Sequence, residues 1–366
     1  MTAFEDDRMM DRCLKLARKG VGMVSPNPMV GCVIVRNGTV EGEGFHRKFG
    51  GPHAEIYALK RAGKKNKGAT LYVSLEPCNH FGKTPPCTDA IIQAGISRVV
   101  IATKDPNPLV SGKGIRRLRT AGIQVKVGVL QTQAELLNEK FFKFMKTNLP
   151  FVSIKLAQTL DGRIADMTGR SKWITSQRAR REVHRLRSEY DAVLVGAKTV
   201  LHDNPELTVR LVKGRNPVRV VVDGRLSLPV SQALFRTTAA PTWLLTSVQA
   251  VQANIRKVQK LVQQGVRVLP ISSTYRLDAV SLLRFLAAEG ISSVLIEGGA
   301  DTVDRFIEQN LADKLYLFIA PKILRGGLDG FSSTTPQLLT QSIKLTMTNI
   351  SLLGEDVLME AVFVHK

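Results

Sequence analysis

The strongest constraint on this chain is that His53, Cys78 and Cys87 have to meet around one ion. A histidine and two cysteines are borderline-to-soft ligands suited to zinc, and three protein ligands leave one tetrahedral corner open to water, as catalytic sites do. A closed structural site takes four ligands, and no nearby Cys-x-x-Cys pair completes one. His46 and His80 are each close enough along the chain to be a fourth ligand, so a structural zinc clip stays open at this point, as does a chance cluster of a surface histidine with buried cysteines.

Glu55, two residues after His53, is the informative companion. A carboxylate so placed need not bind metal and can carry protons between bound water and a substrate. Histidine, any residue, glutamate, then proline and two cysteines is the arrangement of zinc nucleobase deaminases. Here the cysteines stand nine positions apart rather than three, so residues 79–86 form an inserted loop able to reach over a ligand. Pro52 and Pro86 are expected in first helical turns, where a helix N-terminus stabilises thiolate and anion.

At 366 residues the chain can fill two cores. Of its four cysteines, Cys13 and Cys32 fall on apolar faces as single thiols, which suits a reducing cytoplasm. No basic segment leads into an apolar run at the N-terminus, and no stretch nears the roughly 18 apolar residues of a membrane span, so neither export nor insertion is expected. The net charge of +21 suggests nucleic acid, yet the excess is spread over both halves, 24 basic against 12 acidic in residues 1–150 and 28 against 19 beyond. Runs such as Arg116, Arg117 and Arg119 read as solvated faces, and no nucleic-acid partner is expected.

Apolar spacing predicts helices over residues 4–19, 53–63, 87–95 and 113–121, and one long helix over 132–145. Strands are expected over 30–36, 39–46, 69–75, 99–103 and 124–130, the first two joined by the hairpin signal Asn37-Gly38. The alternation argues for an α/β layered domain with the metal at strand ends and helix starts. Residues 148–150 are the expected joint, giving domains of 1–147 and 148–366. The second repeats the α/β pattern, with strands over 151–157, 192–195, 218–222, 243–246, 266–269 and 293–297. Its helices are expected over 176–188, 248–264, 279–289 and 301–310, before an antiparallel end at 314–320, 343–353 and 357–364.

No G-x-G-x-x-G dinucleotide fingerprint occurs. The strand leading into Glu297-Gly298-Gly299 instead presents a two-glycine turn at a helix start, a weak sign of a pyrophosphate site. The run from Lys155 through Asp161-Gly162 to Arg163 is more distinctive, and also reads as two strands around a turn.

Taken together, the two halves resemble the RibD family of bifunctional riboflavin-biosynthesis enzymes, a pyrimidine deaminase joined to a pyrimidine reductase. The resemblance rests on Pro26-Asn27-Pro28, Gly51 to Glu55, Glu76-Pro77-Cys78 through Cys87, and Asp105-Pro106-Asn107-Pro108 in the first half. In the second it rests on Lys155 to Arg163, Ser171 to Thr175, Asp203-Asn204-Pro205, Leu207 to Arg210, and Glu297-Gly298-Gly299. The long inter-cysteine loop separates this family from ordinary cytidine and tRNA deaminases.

The resemblance implies an N-terminal cytidine-deaminase-like three-layer domain and a C-terminal dihydrofolate-reductase-like α/β domain. The first would remove the exocyclic 2-amino group of a diaminopyrimidine ribosylamine 5′-phosphate, with zinc lowering the pKa of its water and Glu55 shuttling protons. Asn27, His46, Lys83, Thr84, Asp105 and Asn107 match positions that hold that substrate. The second would pass hydride from NADPH to C1′ of the sugar, opening it to a ribityl chain. Ala157, Trp173, Thr199, Asp203 and the segment Gly299, Ala300, Asp301, Thr302, Val303, Asp304 and Arg305 would contact NADPH. Ser171, Arg187, Leu207, Arg210 and Glu297 would contact substrate, the two arginines being reasonable phosphate partners or simply salt-bridged. A homo-oligomer, dimer or tetramer, is also implied. The rival reading is a tRNA or single-strand editing deaminase with an accessory domain, which the cysteine spacing and the lack of a nucleic-acid module oppose.

Overall fold

The computed structural model describes residues 3–81, 85–108, 110–331 and 338–365, the side chain of residue 3 excepted. The chain separates into two compact units, Met1–Asn148 and Leu149–Lys366. Among the described residues no helix is long and apolar enough to cross a membrane.

In the first unit α1 (Ala3–Ala17) precedes the hairpin β1 (Gly31–Arg36) and β2 (Thr39–Phe45), then α2 (Ala54–Ala62), β3 (Thr70–Val73), α3 (Cys87–Gln93), β4 (Arg98–Ile101), α4 (Lys113–Thr120), β5 (Gln124–Val127), α5 (Gln131–Leu137) and α6 (Glu139–Thr147). The sheet order is β2-β1-β3-β4-β5, with β1 antiparallel to both neighbours and β3, β4 and β5 parallel. Asn37 and Gly38 both have positive φ, 50° and 76°, as the hairpin signal requires. Alternation on β1 splits the core between two faces: Cys32 and Ile34 pack under α2 and α3, Val33 and Val35 under α1. Cys13 and Cys32 are both buried, as expected of core thiols. On β2, Gly42 and Gly44 let the helix lie directly on the strands, since a Cβ at either would stand 2.3 or 2.2 Å from the carbonyl of Ala58 or Ala54.

The expected long helix over 132–145 is broken at Asn138 (φ −109°, ψ 23°). The buried Asn138 side chain accepts from the Met29 N–H (2.8 Å) and donates to the Met29 carbonyl (2.9 Å), a pairing that competes with the helix and wins. Pro52 and Pro86 also sit before the first helical turns rather than in them, two positions and one position ahead of the first helical residue. Pro86 is the N-cap of α3, and His53, not Pro52, is the N-cap of α2.

The second unit contains β6 (Phe151–Thr159), β7 (Arg163–Ala165), α7 (Gln177–Glu189), β8 (Ala192–Gly196), α8 (Ala197–Asp203), β9 (Val218–Val222), α9 (Ala233–Arg236), β10 (Thr242–Ser247), α10 (Val248–Ala253), α11 (Ile255–Gln263) and β11 (Val266–Ser272). It continues with α12 (Ala279–Ala288), β12 (Ser293–Ile296), α13 (Ala300–Glu308), β13 (Lys314–Ala320), β14 (Leu328–Asp329), β15 (Leu345–Leu353) and β16 (Asp356–Phe363). Nine strands form one sheet in the order β11-β10-β9-β8-β12-β6-β13-β16-β15, parallel from β11 to β13 and antiparallel at the β13-β16-β15 end. Helices cover both faces, so the inner strands are apolar on both sides. The helix expected over 248–264 divides at Asn254, whose amide donates to the Ala250 carbonyl (2.9 Å). The short helix α8 and strand β14 carry too little apolar periodicity to be foreseen, whereas β7 is the second of the two strands read around the Asp161-Gly162 turn.

One polar cluster ties the first unit together. Asp6 of α1 is buried and accepts from the Tyr72 hydroxyl (2.9 Å), both Nη of Arg98 (2.9 and 2.8 Å) and the Lys126 ammonium (2.8 Å), linking α1 to three strands. Burial works to raise its pKa, but the bonds from Arg98, Lys126 and Tyr72 outweigh it and hold the carboxyl below its ordinary value. The stabilisation is therefore present above about pH 4 and lost as the pH falls through the depressed value. Because Arg98 and Lys126 reach solvent, we expect Asp6→Ala to cost about 2–3 kcal/mol, read by urea unfolding followed by far-ultraviolet circular dichroism. Tryptophan emission should not report this loss, since Trp173 and Trp243, the chain's two tryptophans, both lie in the second unit.

Candidate active sites

His53, Cys78 and Cys87 meet because three connections end at one place. His53 is the N-cap of α2, Cys87 opens α3, and Cys78 follows the end of β3. The Nδ1 of His53 lies 3.2 Å from Cys87 Sγ and 3.6 Å from Cys78 Sγ, and the potential ligand atoms fall within 4.8 Å of one another. The Cys87 backbone N–H donates to Cys78 Sγ (3.3 Å). Hydrogen bonding from the Cys87 thiol, opposed by burial and aided by His53, draws Cys78 down to about 4, while Cys87 is pushed up by the same pairing and by burial. The donor set fits zinc with one corner open.

Glu55 sits in the first turn of α2, is buried and lies against the Cys87 thiol. Its Oε2 has no hydrogen-bond partner among the described residues. Burial raises its pKa, as suits a carboxyl that must take up and release a proton near neutrality.

His46 is not a fourth ligand. Its Nδ1–H donates to the Pro52 carbonyl (3.1 Å), which leaves Nε2 to accept from the Asn27 amide (3.3 Å), and burial keeps the ring neutral by lowering its pKa. His80 is exposed and outside the cluster. Asp105 is buried and accepts from the Asn107 N–H (2.8 Å). Burial, partly offset by that bond and reinforced by the charge of Glu76, pushes Asp105 up to about 6. Lys83 and Thr84 lie outside the described residues.

The second unit holds a cavity of about 1190 Å³ at the ends of its central parallel strands, where such sheets bind ligands. Of the expected cofactor residues, Ala157, Trp173, Thr199, Asp203, Gly299, Ala300, Asp301, Thr302 and Arg305 line it. Val303 does not, being fully buried in the core, and Asp304 is absent from the wall. On a helix beginning at Ala300, successive side chains turn through about 100°, so the stretch cannot face one cavity throughout. The Gly299 N–H donates to Thr199 Oγ1 (2.9 Å), and Gly299 caps α13 without a side-chain cap, which suits a phosphate at the helix start.

Ser171, Arg187, Leu207, Arg210 and Glu297 also line the cavity. Arg187 does not offer its fork to a ligand. Its Nε and Nη2 donate to the two oxygens of Glu297 (2.6 and 2.9 Å), and Nη1 donates to the Thr208 carbonyl (3.1 Å). Burial works to raise the Glu297 pKa, but Arg187 and Lys155 overcome it and hold the carboxylate charged. Arg210 pairs with Glu206 (2.6 Å) with both side chains about half exposed, so a phosphate can displace that partner cheaply. Ser171 Oγ donates to Asp203 Oδ1 (2.7 Å), and Arg180 lies 4.2 Å over the Trp173 ring.

Among the cavity residues assigned no role from the sequence, Lys155 and His184 matter most for the charge of the site. Lys155 faces the cavity from β6, its pKa lowered by burial against the pull of Glu297. His184 accepts the Arg210 N–H on Nδ1 (2.9 Å), and burial, then Arg187 and Arg210, bring it down to about 4, so it stays neutral. Lys155 opens a motif noted in the sequence; nothing local marks His184.

Two family profiles cover the chain, the cytidine and deoxycytidylate deaminase zinc-binding region over residues 4–103 and the RibD C-terminal domain over residues 150–359. The riboflavin biosynthesis protein RibD of Aquifex aeolicus is 46% identical over 352 residues, with 96% of each chain covered. The chain belongs to the RibD family. RibD of Escherichia coli is 40% identical, covering 98% of this chain and 99% of its own. Among solved structures, a diaminohydroxyphosphoribosylaminopyrimidine deaminase/5-amino-6-(5-phosphoribosylamino)uracil reductase of Thermotoga maritima matches with a TM-score of 0.88 at 42% identity, covering 99% of each chain. Acinetobacter baumannii RibD matches at 0.90 and 35% identity, covering all of both chains.

As a RibD enzyme the chain is a bifunctional deaminase and reductase of riboflavin biosynthesis, acting on phosphorylated pyrimidines with zinc and NADPH. The full-length match sets aside the nucleic-acid editing alternative. Cys78→Ala and Cys87→Ala should each drop bound zinc from about one per chain to under a tenth by atomic absorption, while NADPH-dependent reduction persists.

Proposed function

We propose that residues 1–147 remove the 2-amino group of 2,5-diamino-6-ribosylamino-4(3H)-pyrimidinone 5′-phosphate, and that residues 148–366 reduce its ribosyl group to ribityl. The product is 5-amino-6-ribitylamino-2,4(1H,3H)-pyrimidinedione 5′-phosphate. The observation that carries the reading is a buried, unpartnered Glu55 oxygen beside a three-ligand cluster in a chain that also holds the second unit's cavity.

In the first unit His53, Cys78 and Cys87 would hold zinc, which when bound activates water as a Lewis acid. Glu55, its pKa raised by burial, accepts one water proton and delivers it to the ring nitrogen, then carries the second proton of that water to the departing amine, which leaves as ammonia. Neutral His46 fixes the Asn27 amide by accepting one of its N–H bonds, so that the amide can read the polar edge of the base. Asp105 and Asn107 form a second polar wall, and Lys83 and Thr84 are assigned to the substrate by motif alone.

In the second unit NADPH supplies the hydride, so the protein's task is alignment. Thr199 and the start of α13 would hold cofactor phosphate, with Trp173 and Ala157 beside them. Arg187 locks Glu297 in a charged state toward the sugar hydroxyls, and Lys155 adds a second positive charge that favours the ionised carboxylate. Arg210 and Ser171 remain to take the substrate phosphate.

We place the enzyme in the cytoplasm, in keeping with its four free cysteines. We also assign it a homo-oligomeric state. β15 is the last strand of the nine-stranded sheet and exposes Met347, Ile350 and Leu352, an edge that a second copy would cover. Ile350→Glu should shift the sedimentation coefficient toward the monomer; an unchanged value refutes this edge as the interface.

The deciding assay supplies the diaminopyrimidine substrate and follows ammonia and NADPH separately. Glu55→Gln should keep its zinc and release ammonia about 10²–10⁴ times more slowly. It should still oxidise NADPH on the deaminated intermediate. Wild-type ammonia release from Glu55→Gln removes that residue from the proton path.

A further inference from the structure

Glu76 stands two residues before Cys78, is buried, and belongs to none of the ligand or substrate positions assigned above. Its backbone N–H donates to the Thr103 carbonyl (3.0 Å). Its carboxylate then receives three backbone N–H groups. Oε2 accepts from Gly112 (2.9 Å) and Asp105 (3.3 Å), and Oε1 accepts from Ile115 (3.1 Å).

Two of those donors are the N-cap and third residue of α4. A helix start leaves its first N–H groups without partners, and here the N-cap is Gly112, which has no side chain to serve them. Glu76 therefore caps α4 from another element, where a carboxylate also meets the positive end of the helix dipole. The contact is close on its other side too: a Cβ at Gly114 would stand 2.1 Å from the Pro77 carbonyl oxygen, so the start of α4 lies directly on the Glu76-Pro77-Cys78 run.

We propose that Glu76 is a positioning residue of the deaminase, holding the Asp105–Asn107 arm at a fixed distance from the metal ligand Cys78. The chain of bonds is short: Cys78 joins Glu76 through Pro77, Glu76 takes the Asp105 N–H, and the Asp105 carboxyl takes the Asn107 N–H. Ligand and substrate arm are then one rigid piece, so a pyrimidine held by the arm meets the metal corner without a search. A carboxylate is required because all three partners are donors. Glutamine has the same size but turns an NH₂ toward one or more N–H groups, which repels them. The proposal rests on the assignment of Asp105 to the substrate.

The test uses the full chain. Glu76→Gln should keep its zinc by atomic absorption, oxidise NADPH on the deaminated intermediate as the wild type does, and raise the deaminase KM about tenfold with a smaller change in kcat. Asp105→Asn should raise the same KM, and Glu76→Gln added to it should raise KM less than twofold further, because the two act through one arm. Glu76→Asp, which keeps the charge on a shorter stem, should fall between wild type and Glu76→Gln; it carries the same test if the glutamine variant fails to fold. Normal KM in Glu76→Gln beside raised KM in Asp105→Asn overturns the role of Glu76 alone. Unaltered KM in Asp105→Asn overturns the substrate assignment itself. Full additivity, or loss of zinc from a folded Glu76→Gln or Glu76→Asp chain, makes Glu76 a structural residue and refutes the proposal.

Discussion

A dication with one corner open to water needs three borderline-to-soft donors converging on one point, and the first unit is arranged to meet that demand. His53 and Cys87 come from the starts of α2 and α3, and Cys78 from just past the end of β3. The imidazole Nδ1 of His53 lies 3.2 Å from one thiol and 3.6 Å from the other. That closeness persists because the elements behind it are packed on both faces of one sheet, with Gly42 and Gly44 allowing α2 to lie flush on β2. Glu55 gains its usefulness from the same packing: one turn of helix places a carboxyl in a dry pocket, where its proton is held more tightly than in water.

The second unit solves a different problem. Hydride transfer asks for alignment of two ligands, and the large cavity at the strand ends provides the room. The largely buried ion pair of Arg187 with Glu297 is weak evidence for stability, since desolvation offsets most of the attraction. It fixes the direction and charge of a carboxylate on the cavity wall. His184 works in the opposite sense, kept uncharged by burial and two neighbouring arginines so that it can accept the Arg210 N–H.

Both sites therefore combine a carboxyl whose ionisation is set by its surroundings with a histidine held neutral, His46 in one unit and His184 in the other. Nucleic-acid binding is not needed to account for the positive charge near the second cavity, where Arg187 pairs with Glu297, Arg210 pairs with Glu206, and Lys155 is drawn by the Glu297 charge.

The sequence alone determined the metal ligands, the acid beside them, the two-part organisation and most strands, because each is written in a local spacing: a ligand triplet, an alternation of apolar residues, an Asn-Gly turn. Family motifs located the second cavity's wall, yet they could not say that Val303 points into the core, since a motif is linear and a helix is not. The break at Asn138, the capture of Arg187 by Glu297 and the capping of α4 by Glu76 were decided by tertiary structure only. In each case a polar side chain met a partner 36 or more residues away, and burial made leaving either group unpaired more costly than bending the local pattern.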